Sequence, residues 1–239
     1  MDPAQLPYIR EGLLYLVALI LSICVHEFGH AWVADKLGDP LPRSQGRVTL
    51  NPLAHADLVG TIILPLVAFM SAISSPQIGM RILGWGKPVQ ISLSARSMTR
   101  KISIRTSHAL IAIAGPMMNI LFGLVLSGLY FLLLRAGRDS LAQVIGGIVT
   151  MNISLCFFNL LPVPPLDGGH VAQSFTPYRY RDQFDQFARY APFLVLAFML
   201  IPAMKLVFVW PATHLAGYVY QGFGHLLGYE GLARMFGMA

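Results

Sequence analysis

His26, Glu27 and His30 fall within one five-residue stretch, His26-Glu27-Phe28-Gly29-His30. On a helix, positions i and i+4 share a face, so the two imidazoles can converge on one ion. Glu27, one step around, can reach a water held there. This is the H-E-x-x-H zinc arrangement, with the glutamate as general base. The stretch also lies inside an apolar run. Charge at membrane depth costs about 2.5–3.5 kcal/mol per residue or more, which marks such residues as functional. The competing reading, two histidines satisfied by interhelical hydrogen bonds, leaves that cost without a shared reason.

A catalytic zinc needs a third protein ligand and an open position for water. Asp167 is the candidate, in Asn159-Leu160-Leu161-Pro162-Val163-Pro164-Pro165-Leu166-Asp167-Gly168-Gly169. The prolines break the preceding helical run. The glycines permit an irregular backbone, which membrane depth tolerates only where it lines a cavity. The competing reading is a solvated loop aspartate at a helix end.

The elements that must carry these residues are apolar. The chain has 239 residues, 55% of them apolar and 12% charged, with mean hydropathy +0.61. A soluble domain carries about 25% charged residues, so an ordinary soluble enzyme is disfavoured and a disordered chain is excluded. Several runs reach the roughly 18–20 residues needed to span hydrocarbon. They cover about 8–37, 58–75, 107–134, 141–161, 191–209 and, more weakly, 211–227. Between them, Gly84-Trp85-Gly86-Lys87-Pro88 and the alternation Val89, Ile91, Leu93 suggest extended strands over about 82–93. The expected fold is an all-α polytopic membrane protein, with about five to six transmembrane helices and a short membrane-associated β-hairpin. One integral-membrane domain is expected over 1–239. Its zinc-site core lies in about 8–37 and 107–170, and its C-terminal helices in about 191–227.

The net charge of +6 sits in loops between the apolar runs, the pattern of a membrane protein and not of a nucleic-acid binder. Cys24 and Cys156 lie inside apolar runs and read as buried thiols. The first ten residues lack a Lys/Arg-rich n-region and a small-residue cleavage site, so the first span is expected to be retained.

Three stretches together resemble the site-two protease family of intramembrane zinc metalloproteases: His26 to His30, Gly115-Pro116-Met117-Met118-Asn119, and Asn159 to Gly169. The likeness covers about the first three quarters of the chain. The stretch around Gly84 to Val89 is similar to the family's short membrane-associated β element. With no room for a PDZ or CBS domain, the chain resembles the short, minimal branch. The resemblance implies one Zn2+ per chain, held by His26, His30 and Asp167, with Glu27 as catalytic base. It implies that Asn119 and Asn159 hold substrate or steady an oxyanion; an interhelical hydrogen bond is the competing role of each. The substrate would be a transmembrane segment of another protein, cut in regulated intramembrane proteolysis. The setting would be lipid, in a multi-pass, bacterial plasma-membrane protein. A membrane metal-ion transporter using the same His/Asp site is the alternative, but it gives no reason for Glu27 beside His26.

Sharing an ion constrains topology. His30 lies about 12 Å from the end of its span at 1.5 Å rise per residue, and Asp167 just follows the fourth run. Both ligands sit toward the C-terminal ends of their helices, so an odd number of crossings must separate those helices. Residues 39–106 are therefore expected to leave on the side they entered. That topology gathers Lys36, Arg43, Arg47, Arg81, Lys87, Arg96, Arg100, Lys101, Arg105, Arg179, Arg181 and Arg189 on the zinc side, against Arg10, Arg135 and Arg138 opposite. The bias places the zinc side in the cytoplasm and the N-terminus outside.

His55, in Asn51-Pro52-Leu53-Ala54-His55-Ala56-Asp57, is a candidate gate or resting-state ligand, or else a plain loop residue. Asp57 is a natural N-cap for the run that follows. His170 is a weaker rival to Asp167, His108 is expected to snorkel, and His214 and His225 read as structural.

Overall fold

The computed structural model describes residues 6–74, 84–92 and 102–228. Long apolar stretches become long helices, even where Gly115-Pro116 falls inside one. α1 spans Leu6–Leu37, α5 Ile104–Arg135 and α6 Asp139–Asn159. Between α1 and α5 come two one-turn helices, α2 (Leu41–Ser44) and α3 (Pro52–His55), then a π-helical turn (Leu58–Ile63) that continues into α4 (Leu64–Ser74). After α6 come α7 (Asp167–Phe175), a 3-10 turn (Tyr178–Tyr180), α8 (Arg181–Leu200) and α9 (Pro202–Leu227).

The ends are set by local chemistry. Gly38, at φ 101°, takes the left-handed turn that stops α1. The Ser103 hydroxyl accepts from Thr106 N–H and caps α5. The Asp57 carboxylate accepts from the N–H groups of Val59 and Gly60, the cap expected of it.

α1 runs antiparallel to α5 and parallel to α6. Near its C-terminal end, Ala34 and Leu37 pack on Ile111 of α5. Toward its N-terminal end, Ala18 packs on Val144 and Ile148 of α6. Tyr130 and Phe131 of α5, Val149 and Ile153 of α6, and Ala212, Ala216 and Tyr220 of α9 form the largest core. Outside this core, Leu13, Val17 and Leu21 of α1 and Val125, Leu129 and Leu132 of α5 stay exposed. Such an apolar exterior suits lipid, not water.

Three helices are long and apolar enough to cross a membrane: Gly12–Leu37, Ile104–Arg135 and Asp139–Asn159. Tyr178–Leu200 and Pro202–Leu226 meet at 79° and add a fourth span if taken as one broken unit. Leu58–Met70 is shorter. By length and composition the described residues thus hold three or four candidate spans, not five to six. Two of the expected spans merge into the bent α8–α9 pair, and the second run is too short.

The β-hairpin also needs correction. Residues 84–92 form no ladder with another strand among the described residues, and 82, 83 and 93 lie outside them. The extended segment is tied instead to the turns after α1. Trp85 N–H donates to Gly60 O, and Lys87 N–H to His55 O. The Thr61 hydroxyl donates to Trp85 O, while Ser92 N–H and Oγ–H donate to the Asp39 carboxylate. Whatever path 75–83 takes, the chain has returned by Trp85 to the place from which α4 departed.

Candidate metal centre

His26 and His30 project from α1 toward α5, where Gly115 leaves room for them. Asp167 is the first residue of α7, delivered by the proline-containing loop that ends α6. The three bring their ligand atoms to one point. His26 Nε2 and His30 Nε2 are 3.1 Å apart. Asp167 Oδ2 lies 3.1 Å from His26 Nε2, and Oδ1 lies 3.3 Å from His30 Nε2. Tetrahedral zinc with ligands at about 2.0–2.1 Å separates them by about 3.3–3.4 Å, so these edges fit such an ion.

The chemistry of the donors fits as well. His30 Nδ1 lies 2.7 Å from the Ile111 carbonyl on α5. A carbonyl only accepts, so Nδ1 carries the proton and the Nε2 lone pair faces the other two ligands. A hydrogen-bonded far nitrogen is the usual orientation device of a metal-bound histidine. The buried Asp167 Oδ2 meets no donor among the described residues besides the His26 imidazole 3.1 Å away. A buried carboxylate oxygen without a hydrogen is costly unless a cation meets it. A Cβ at residue 115 would stand 2.3 Å from His30 Nε2 and 2.8 Å from His26 Nε2, so the absence of a side chain there keeps the site open. His26, His30 and Asp167 are the one group among the described residues arranged to hold a metal ion.

Glu27 is nearly buried, and with the three ligand candidates it lines a cavity of about 1430 Å³. That volume admits an extended peptide as well as water. Its walls come from α1, α5, the extended segment at Gly84, Trp85, Gly86, Pro88, Val89 and Ile91, and the α6 to α9 region.

Asn119 and Asn159 line the same cavity. Asn119 is buried on α5, and its Oδ1 has no partner. The Asn159 amide already donates to Leu155 O in its own helix. His55 stands apart from the three-ligand cluster. It is buried, with Nε2 2.8 Å from Thr49 O. Burial pushes its imidazole below the ordinary range, and Arg47 beside it acts in the same direction. His170 and His108 are exposed on the cavity wall, and Cys24 and Cys156 are buried free thiols.

Three contributors escaped sequence reasoning. Gly115 stood inside a recognised motif, but its contact with the imidazoles needs the α1–α5 crossing. The Ile111 carbonyl is backbone and has no residue signature. Arg47 read as one loop cation among twelve, yet it is buried.

Comparison with known proteins gives a consistent assignment. The profile described as peptidase family M50 matches residues 14–137 and 134–202. YwhC of Bacillus subtilis, a candidate zinc metalloprotease by name, is 31% identical over 203 residues, 82% of this chain and 84% of the relative. Rip2 of Mycolicibacterium smegmatis, named in the same way, is 29% identical over 168 residues, 68% of this chain and 57% of its own. Protease RseP of Yersinia pestis is 30% identical over 144 residues, 59% of this chain and 29% of its own. The chain therefore spans most of the Bacillus relative but only about half of the mycobacterial one. No solved structure matches the chain.

Proposed function

The chain belongs to peptidase family M50, and from that premise we propose that it is an intramembrane zinc endopeptidase that cuts transmembrane segments of other proteins. The observation that carries this reading is the convergence of His26, His30 and Asp167 beside Glu27 on one peptide-sized cavity. When bound, zinc supplies Lewis acidity, which makes water nucleophilic near neutral pH and polarises a carbonyl. His26, His30 and Asp167 would hold it. Glu27 takes the proton of the attacking water on its carboxylate and hands it to the leaving amine nitrogen. Asn119, with Asn159, donates to the carbonyl oxygen as negative charge develops there.

A helical substrate must unwind first, because its amides are already bonded and hidden. The extended segment 84–92 offers an edge on which an unwound peptide can pair by β-augmentation. A metal carrier could use the same three ligands, but carriage has no use for Glu27 beside His26, and the chain is a peptidase by family. The substrate as a membrane protein cut in regulated intramembrane proteolysis, and the site facing the cytoplasm with the N-terminus outside, belong to this same reading. So does a single domain over 1–239.

The test is cleavage of a transmembrane reporter by purified wild type and Glu27→Gln, with zinc measured on both. The expected result is equal zinc in both, with cleavage at least about 100-fold slower in the variant, the usual scale of general-base loss. Equal cleavage by both would overturn the assignment of the base. Absence of zinc from the active wild type would overturn the metal site.

A further inference from the structure

Arg47 is 4% exposed and has no carboxylate within ion-pair distance among the described residues. Its guanidinium donates instead to two backbone carbonyls, Ala54 O at α3 and Lys87 O in the extended segment. A buried guanidinium is an expensive way to tie two loops, since its charge must leave water. Its use is geometric. The planar fork spans two carbonyls in fixed directions, which a lysine ammonium does not do.

The backbone of Lys87 is held completely from this side. Its carbonyl is taken by Arg47 and its N–H by His55 O. In an extended chain the N–H and C=O of neighbouring residues point to opposite sides in the plane of the sheet. The polar groups of Gly86 and the carbonyl of Pro88 are thus turned away from Arg47, on the edge of the segment that no other described residue pairs. There is no slack at Gly86: a Cβ would lie 2.6 Å from Ile23 Cγ2, 3.1 Å from Glu27 Cγ and 3.3 Å from Glu27 Oε1. Trp85 and Ser92 are tied at either side of this point, so Arg47 and His55 O set the middle.

We propose that Arg47 is a positioning residue of the substrate groove, a latch that fixes the extended segment with one face of Gly86 against Glu27, so that an unwound substrate pairing along the adjoining edge lies in reach of the base. The part concerning substrate rests on the proteolytic reading above; the latch itself does not.

The experiment uses the purified full chain as wild type, Arg47→Lys and Arg47→Met. It has three readouts: zinc content, amide hydrogen exchange, and steady-state cleavage of a transmembrane reporter. Losing two charge-assisted hydrogen bonds predicts amide exchange about tenfold or more faster at Trp85 and Lys87 in Arg47→Met. A smaller rise is expected in Arg47→Lys, and none in α5 or α6. Zinc content stays at the wild-type level. KM rises about tenfold while kcat stays within about threefold, since the latch acts on substrate placement. Unchanged exchange across 84–92 overturns the latch. Unchanged KM, or a fall in kcat alone, overturns its role toward substrate. Faster exchange throughout the molecule with loss of zinc makes Arg47 a general fold residue and overturns the proposal too. If Arg47→Met does not fold, Arg47→Lys decides by the same criteria. If the wild type cuts no transmembrane reporter, the proteolytic reading fails, and exchange alone judges the latch.

Discussion

Alanine in place of Gly115 would set a methyl group where two imidazole nitrogens now face each other, 2.3 Å from one and 2.8 Å from the other. Neither ring can retreat freely, because both stand on the rigid α1 and His30 is held by Ile111 O. Gly115→Ala should therefore lower bound zinc at least tenfold while helical content stays at the wild-type level, measured by metal analysis and circular dichroism on one preparation. Full zinc retention would mean that the ion sits elsewhere than between the two imidazoles. At this scale the sequence was informative wherever a side chain does the chemistry. His26, Glu27 and His30 declare themselves by spacing, and Asp167 by its place after a broken helix. It was silent wherever backbone does the work, as with Ile111 O, or the carbonyls that Arg47 collects.

Among the elements, apolar length and two ends were legible: α1 stops at Gly38 and Asp57 caps the turn before α4, while α5 starts after Ser103, earlier than the run expected from 107. The extended character of 84–92 was legible in its glycines and alternation, but its partners were not, because turns and side chains hold it where a strand was expected. The start of α8 was hidden for another reason. Its first turns, from Arg181, are polar on most faces, with Phe184 and Phe187 at helical spacing. The chain then breaks at Ile201, whose extended backbone (φ −87°, ψ 115°) is what a following proline imposes. If Pro202 alone makes the 79° bend, Pro202→Ala should let α8 run on into α9. Spin labels at Tyr190 and Thr213, both exposed, would report it. At 1.5 Å per residue they stand about 27 Å apart across the bend and about 35 Å apart in a straight helix. An unchanged distance would assign the bend to packing of Ala212, Ala216 and Tyr220 on α6. Because Leu196, Met199, Leu200, Lys205 and Phe208 wall the cavity, straightening should also slow cleavage.

For the whole molecule, the parallel pairing of α1 with α6 and the antiparallel pairing with α5 put the metal site at one end of the bundle. That end holds the C-terminal part of α1, the N-terminal part of α5 and the loop after α6. The chain between α1 and α5 returns to this end by Trp85, as the ties of 84–92 to Gly60, His55 and Asp39 require. Lys36, Arg43, Arg47, Lys87 and Arg105 therefore gather there, while Arg135 and Arg138 lie at the far end of α5. Basic residues concentrate on the cytoplasmic side of membrane proteins, so the metal end should face the cytoplasm. Cys24 and Cys156 are buried, which keeps background low for single-cysteine labelling. Ser44, on the metal side, and Ser140, beside Arg138, are both exposed. A membrane-impermeant thiol reagent applied to intact cells should modify Ser140→Cys and spare Ser44→Cys until the membrane is opened. Labelling of Ser44→Cys alone from outside would invert the molecule. Labelling of both from outside would break the argument at its root, since the two positions would then not be separated by a crossing of α5, and the charge bias would have to arise from something other than orientation.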